Sequence, residues 1–231
     1  MFKISIKLVY PYLHEHNKLI MTTHLSHLPL LKSPLRKKRN KSQPMTTQEE
    51  KRAIRLQVRQ QFRQLSAEER LHRSAALYAR IEQMPEFQRA SRIMAYHPLP
   101  DEPFSLPFLQ KYAAVKEIYL PIVQTDHIIL GRYLGENNLH AGAFGIMEPS
   151  ALSYSPSQPW GNFLPPQFII VPGMAFTPQG ARLGRGKGFY DRFLALPGVV
   201  SAHKSGICFP FQIFSHIPTE PHDVLMDSMV Y

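Results

Sequence analysis

Beyond residue 45, short apolar runs alternate with longer polar stretches, and together they predict helices and strands in turn. Thr47-Gln48-Glu49-Glu50 reads as a capping box opening a helix to about Leu65. Ser66-Ala67-Glu68-Glu69 reads as a second box, opening a helix to about Met84. In such a box the hydroxyl accepts from the third helical N–H while the acid reaches back to the cap N–H. Two boxes in close succession predict a helical hairpin. The apolar runs 93–96, 118–123 and 127–130 read as strands, with a helix over 105–115 between the first two. Proline punctuates residues 150–166, which read as a long loop. Phe168-Ile169-Ile170-Val171 is apolar throughout, as expected of a strand covered on both faces. This alternation predicts an α/β sandwich with a mostly parallel sheet.

The chain has 231 residues, 44% hydrophobic and 19% charged, which suits one domain with an appendage and excludes collagen-like, coiled-coil or wholly disordered chains. A formal charge of +10 invites a nucleic-acid reading, so its location matters. Nine of the 27 Lys and Arg, but one of the 17 Asp and Glu, fall in residues 1–44. The rest balances 18 bases against 16 acids and is nearly neutral. Residues 1–44 are therefore set apart as a basic extension, and residues 45–231 as a single α/β domain.

Within the extension, Arg36-Lys37-Lys38-Arg39-Asn40-Lys41 has the composition of a nuclear-import or polyanion-binding patch. As a whole it reads as a solvated, disordered segment, or as a stretch upstream of a true start at Met45. The opening MFKISIKLVYPYLHEH is interrupted by Lys7, Pro11 and His14 and makes a poor signal-peptide core. No segment approaches the ~18 uninterrupted apolar residues of a membrane span. A cytoplasmic protein is expected. The single cysteine, Cys208, excludes a disulfide framework or multi-cysteine metal site. Between Ile207 and Phe209 it reads as a buried apolar residue.

Glycines cluster at positions 180, 184, 186 and 188, after the apolar run 168–171 and before a helix-like stretch at 190–196. Strand, glycine loop and helix form an arrangement that receives phosphate on backbone N–H groups. Arg182, Arg185 and Lys187 add positive charge where phosphate charge would sit. The loop is neither of two familiar types. A P-loop would need glycine at Ala181 and Ser or Thr at Gly188, and a dinucleotide fingerprint would need glycine at Phe189. Asp191 is either a first-turn helix acid or a carboxylate for Mg²⁺ beside a polyphosphate.

The run Val171-Pro172-Gly173-Met174-Ala175-Phe176, continued by Gly180-Ala181-Arg182-Leu183-Gly184-Arg185-Gly186-Lys187-Gly188-Phe189-Tyr190-Asp191-Arg192-Phe193-Leu194, is the most specific signal in the chain. It closely resembles the signature of the 5-formyltetrahydrofolate cyclo-ligases, or methenyltetrahydrofolate synthetases. Other blocks follow in that family's order. Lys51-Arg52-Ala53-Ile54-Arg55 resembles its Lys-x-x-x-Arg element, and residues 96–102 its strand-end block closing on a Glu. Gly142-Ala143-Phe144-Gly145-Ile146-Met147-Glu148-Pro149 resembles its turn, and His222-Asp223-Val224 its closing element. The resemblance spans about residues 48–231 and departs at Phe189, where the family usually has the first of two tyrosines.

The resemblance implies a three-layer α/β/α sandwich of the kind shared with sugar-phosphate isomerases and coenzyme A transferases. It also implies ATP- and Mg²⁺-dependent closure of 5-formyltetrahydrofolate to 5,10-methenyltetrahydrofolate, with release of ADP and phosphate. ATP would be bound by Lys51, Arg52, Ala53, Ile54 and Arg55, and by Arg182, Leu183, Gly184, Arg185, Gly186, Lys187, Gly188, Phe189 and Tyr190. The folate would meet Arg55, His97, Glu102, Arg185, Gly186, Lys187, Gly188 and Phe189. Arg182, Lys187 and Tyr190 are the implied catalytic residues. Asp191 and Asp223 would hold Mg²⁺, directly or through water, with Asp227 a second choice. Trp160 would either stack on the folate or pack its own loop. A monomer is expected, with no membrane and no specific nucleic-acid partner. The rivals are a polyanion binder using the basic extension and an ATP-dependent ligase for another small acid.

Overall fold

The computed structural model describes residues 45–150, 160 and 164–231. The chain divides into two units, residues 1–43 and 44–231, and the second is the one described here. The basic extension, and most of the proline-rich stretch 150–166, lie outside the described residues.

Helix α1 (Thr47–Gln64) opens on a capping box one residue earlier than the sequence suggested. Thr46 Oγ1 accepts from Glu49 N at 3.3 Å, and Glu49 Oε2 accepts from Thr46 N at 2.9 Å. Both registers hold a Thr three residues before a Glu. In the earlier one, Thr46 O also takes the first helical bond, from Glu50 N at 3.0 Å. Helix α2 (Ala67–Glu82) starts as expected, with Ser66 Oγ accepting from Glu69 N at 3.1 Å. It stops short of Met84 because Pro85 opens a separate short helix, α3 (Pro85–Arg89), and a residue before proline avoids the helical region.

Next come β1 (Arg92–Met94), α4 (Leu106–Tyr112), β2 (Glu117–Val123) and β3 (Ile128–Arg132). A small hairpin follows, β4 (Leu139–Ala141) and β5 (Met147–Pro149), then β6 (Phe168–Pro172). The chain closes with the pair β7 (Ala175–Phe176) and β8 (Arg182–Leu183), α5 (Phe189–Leu194), β9 (His203–Ile207) and β10 (Ser228–Val230). The main sheet has the order β10-β9-β6-β1-β2-β3. All neighbours in it are parallel except the β2–β3 pair.

Strand β6, buried along its whole length, shows why its sequence carries no polar position. Phe168 and Ile170 join the core beneath α1, α2 and α4, with Val58, Ile81 and Phe108. Ile169 and Val171 join the opposite core, with Phe193 and Leu194 of α5. Successive side chains on a strand face opposite ways, so a layer of helix on each face demands an apolar residue at every position. The α/β architecture with a mostly parallel sheet is therefore as expected. No described helix is long and apolar enough to cross a membrane.

Candidate active site

A cleft of about 550 Å³ opens where the chain leaves the carboxyl ends of β1 and β6, with α1 along one side. Such strand ends are where loops can carry polar groups that the sheet itself cannot. Lys51 and Arg55 line it from one face of α1 at i, i+4. The residues between them do not reach it. Arg52 and Ala53 are exposed, and Ile54 is buried in the core beneath the helix. Arg55 Nε donates to Gly184 O at 2.9 Å and so ties α1 to the glycine loop. Lys51, itself buried, lies 3.4 Å from Glu220.

The loop after β1 carries His97 and Glu102 into the cleft, and α2 holds that loop in place. Arg70 donates to the carbonyls of Glu102 and Leu99 at 2.9 and 2.8 Å. Tyr78 Oη donates to Tyr96 Oη at 3.0 Å, and Tyr96 Oη to Pro103 O at 2.9 Å. Thus fastened, Glu102 is 6% exposed. Its Oε2 accepts from Leu99 N at 3.0 Å and its Oε1 from Arg185 Nη2 at 3.1 Å. Burial pushes the carboxyl above the ordinary range, and Arg185 pulls part of the way back. Burial also drives the His97 imidazole down to about 4, so it is neutral at physiological pH.

The glycine loop forms the facing wall. Gly186 (φ 98°) and Gly188 (φ 66°) adopt backbone that side-chain-bearing residues rarely take. Arg182 lies below the loop, 7% exposed, and its Nη2 donates to both oxygens of Asp191 at 2.9 and 3.0 Å. Its guanidinium also stands over the Tyr190 ring, 5.3 Å from the centroid. Among the described residues, the buried Tyr190 hydroxyl and Arg182 Nε have no hydrogen-bond partner. Burial pushes the Tyr190 hydroxyl far up, which keeps it neutral. Lys187 is exposed at the cleft, and Phe189 packs under Arg192 at 5.5 Å. A third wall comes from the hairpin β4–β5, which offers Ile146. Glu148 secures that hairpin, its Oε1 accepting from Val123 N at 3.0 Å.

Asp223 reaches the cleft from the segment before β10. The donor atoms of Glu220, His222 and Asp223 lie within 4.8 Å of one another. Asp191 lines the same cleft, fixed by Arg182. Asp227 does not line it and instead takes Lys204 N at 2.7 Å and Lys204 Nζ at 3.3 Å. Trp160 is not a cleft residue either: it is buried in the α5-side core, and a Cβ on Gly198 would sit 2.2 Å from its ring. Among the described residues it packs against the α5-side core and Gly198. The cleft also holds Glu220 and Asp101, which sequence reasoning missed. Asp101 adjoins Glu102 in sequence, but nothing local announces that either acid is turned inward.

The 5-formyltetrahydrofolate cyclo-ligase family model matches residues 47–231. The mouse 5-formyltetrahydrofolate cyclo-ligase is 27% identical over 204 residues, covering 81% of this chain and 96% of the mouse protein. The Mycolicibacterium smegmatis protein of the same name is 33% identical over 141 residues, covering 58% of this chain and 70% of that one. Among solved structures, Aquifex aeolicus 5,10-methenyltetrahydrofolate synthetase superimposes with a TM-score of 0.66 at 34% identity, covering 78% of this chain and 88% of that one. The Mycoplasma pneumoniae synthetase shares the fold, with a TM-score of 0.59 at 22% identity, covering 78% of this chain and 97% of that one. The match takes in every wall of the cleft, from Lys51 on α1 to Asp223 before β10, and the chain belongs to the 5-formyltetrahydrofolate cyclo-ligase family.

Proposed function

We propose that this chain closes 5-formyltetrahydrofolate to 5,10-methenyltetrahydrofolate in a reaction driven by ATP with Mg²⁺, releasing ADP and phosphate. The observation that carries this reading is the cleft's polarity. A buried carboxylate, Glu102, and a basic glycine loop line the same cleft and meet where Arg185 reaches Glu102 Oε1. Glu102 suits the N–H donors of a pterin edge, and the loop with Lys51 and Arg55 suits a polyphosphate.

A formamide oxygen is a poor leaving group. Attack of that oxygen on the γ-phosphorus, with departure of ADP, makes a phosphorylated imidate. N10 then attacks the imidate carbon, the carbon–oxygen bond breaks, phosphate leaves and N10 loses its proton. No enzyme nucleophile is needed. The protein's work is positioning and charge neutralisation. Arg185, Lys187, Lys51 and Arg55 offset phosphate charge, while Arg182 holds Asp191 at the loop. The neutral Tyr190 hydroxyl, lacking a protein partner, is left to donate to a ligand oxygen. Neutral His97 lines the folate side without adding charge. Cys208 takes no part: it is buried, and burial pushes its thiol up to about 12.

The donor set suits a hard divalent cation, since Asp191, Asp223 and Glu220 all offer carboxylate oxygens to this cleft. Mg²⁺ held there would neutralise phosphate charge as phosphoryl transfer proceeds. The protein would act as a monomer in the cytoplasm. The test is the absorbance of the conjugated methenyl product in the presence of 5-formyltetrahydrofolate, ATP and Mg²⁺. Product should appear only when all three are present. Product without ATP, or none with it, would refute the reading.

A further inference from the structure

Charges of alternating sign run from α1 to the buried end of the cleft. Arg59, one turn past Arg55, has its Nε 3.8 Å from Asp101 Oδ2. Asp101 grips Arg185 at both ends: Nη1 donates to Oδ2 at 3.1 Å, and Nη2 donates to Oδ1. Glu102 Oε1 receives only the shared Nη2, at 3.1 Å. The pairing is therefore lopsided. Asp101 takes the whole fork, and Glu102 takes one corner of it.

A fork-on-fork pair is the strongest geometry a guanidinium offers, so the carboxylate holding the fork decides where its charge rests. An ionised carboxylate has about four lone-pair sites. Glu102 commits one to Leu99 N and one to Arg185, which leaves the remainder open. Without Asp101 the fork would close on Glu102, the other carboxylate within its reach, and compete for those open sites. We propose that Asp101 is a positioning residue for folate recognition, holding the Arg185 fork so that Glu102 stays open to the amino-pyrimidinone edge of the pterin. This rests on the function proposed above and adds a residue that acts through another.

The test is Asp101→Asn, which keeps shape and removes charge, beside Asp101→Glu, which restores the charge. Calorimetric titration with 5-formyltetrahydrofolate, and separately with a non-hydrolysable ATP analogue, is paired with thermal melting. Asp101→Asn should bind the folate about tenfold more weakly. It should lose much less affinity for the ATP analogue than for the folate, because of the phosphate-facing groups only Arg185 shifts while Lys51, Arg55, Lys187 and the loop backbone are untouched. It should melt at the wild-type temperature. Asp101→Glu should recover part of the folate affinity. Unchanged folate affinity in Asp101→Asn would overturn the proposal. So would equal weakening of both ligands, a lowered melting temperature or no recovery in Asp101→Glu, each of which marks a merely structural acid. Wild type that binds the analogue but not the folate would overturn the proposed function, and this role with it. Wild type that binds both, beside an indifferent Asp101→Asn, would overturn this role alone.

Discussion

Glu102 ties a stability effect to the recognition role proposed for it. Burial raises its folded pKa, so the folded chain holds that proton more tightly than the unfolded chain does. Its contribution to stability is present below the unfolded value and lost as pH rises through the folded one. Once ionised, the carboxylate is therefore a burden on the fold. Glu102→Gln should melt no lower than wild type at pH 7, yet bind 5-formyltetrahydrofolate about ten- to a hundred-fold more weakly, which melting and titration would show together. His97 works in the opposite direction. Its pKa falls from 6.5 to about 4 on folding, so between those values the unfolded chain binds more protons. Stability from this residue is present above pH 6.5 and lost as pH falls toward 4. Replacing it with Asn should flatten that part of a melting-temperature profile, and an unchanged slope there would show that another group sets the acid limb.

At the scale of elements, the glycine loop divides into two parts with different duties. Gly180 has φ 90°, and a Cβ there would lie 2.4 Å from Met226 O, a backbone atom that cannot swing aside. Gly186 has φ 98°, but its nearest neighbour would be the movable Arg55 guanidinium at 3.4 Å. Gly180→Ala should therefore cost about 2 kcal/mol or more, seen as a fall of roughly 4–8 °C in melting temperature. Gly186→Ala should melt closer to wild type and lose affinity for the ATP analogue instead. Equal melting losses in the two variants would remove the distinction. The loop's spacing and charge were legible in the sequence, but this division was not, because it depends on Met226 and Arg55 coming from elsewhere in the chain. Strand β9 was hidden for a related reason. His203-Lys204-Ser205-Gly206-Ile207 has little of an apolar strand about it, yet Lys204 is buried. Its ammonium donates to Val200 O and Ala202 O at 3.0 and 2.8 Å, which satisfies the charge locally and lets a polar sequence occupy the sheet. The runs behind β1, β2, β3 and β6 had no such compensation and were readable as strands directly.

For the whole molecule, the family match and the Thr46 cap both begin where the charge of the chain turns nearly neutral. A chain starting at Met45 should keep both melting temperature and turnover, and a clear loss of either would give residues 1–44 a part in the enzyme. What could not be read from the sequence was that α2 would fasten the loop bearing Glu102. Arg70 and Tyr78 look like ordinary helix positions until the fold brings them against that loop. The cleft draws on residues from Gln48 to Asp223, so it needs almost the entire domain. The segment bearing Glu220 and Asp223 is fixed from behind by Met226 N on Gly180 O and by β10 alongside β9. A chain in which that segment has not yet docked thus has no complete site for a ligand to stabilise. The proposed folate and nucleotide would therefore favour folding only by mass action on the fully docked domain, so their scarcity would shorten the lifetime of the folded enzyme.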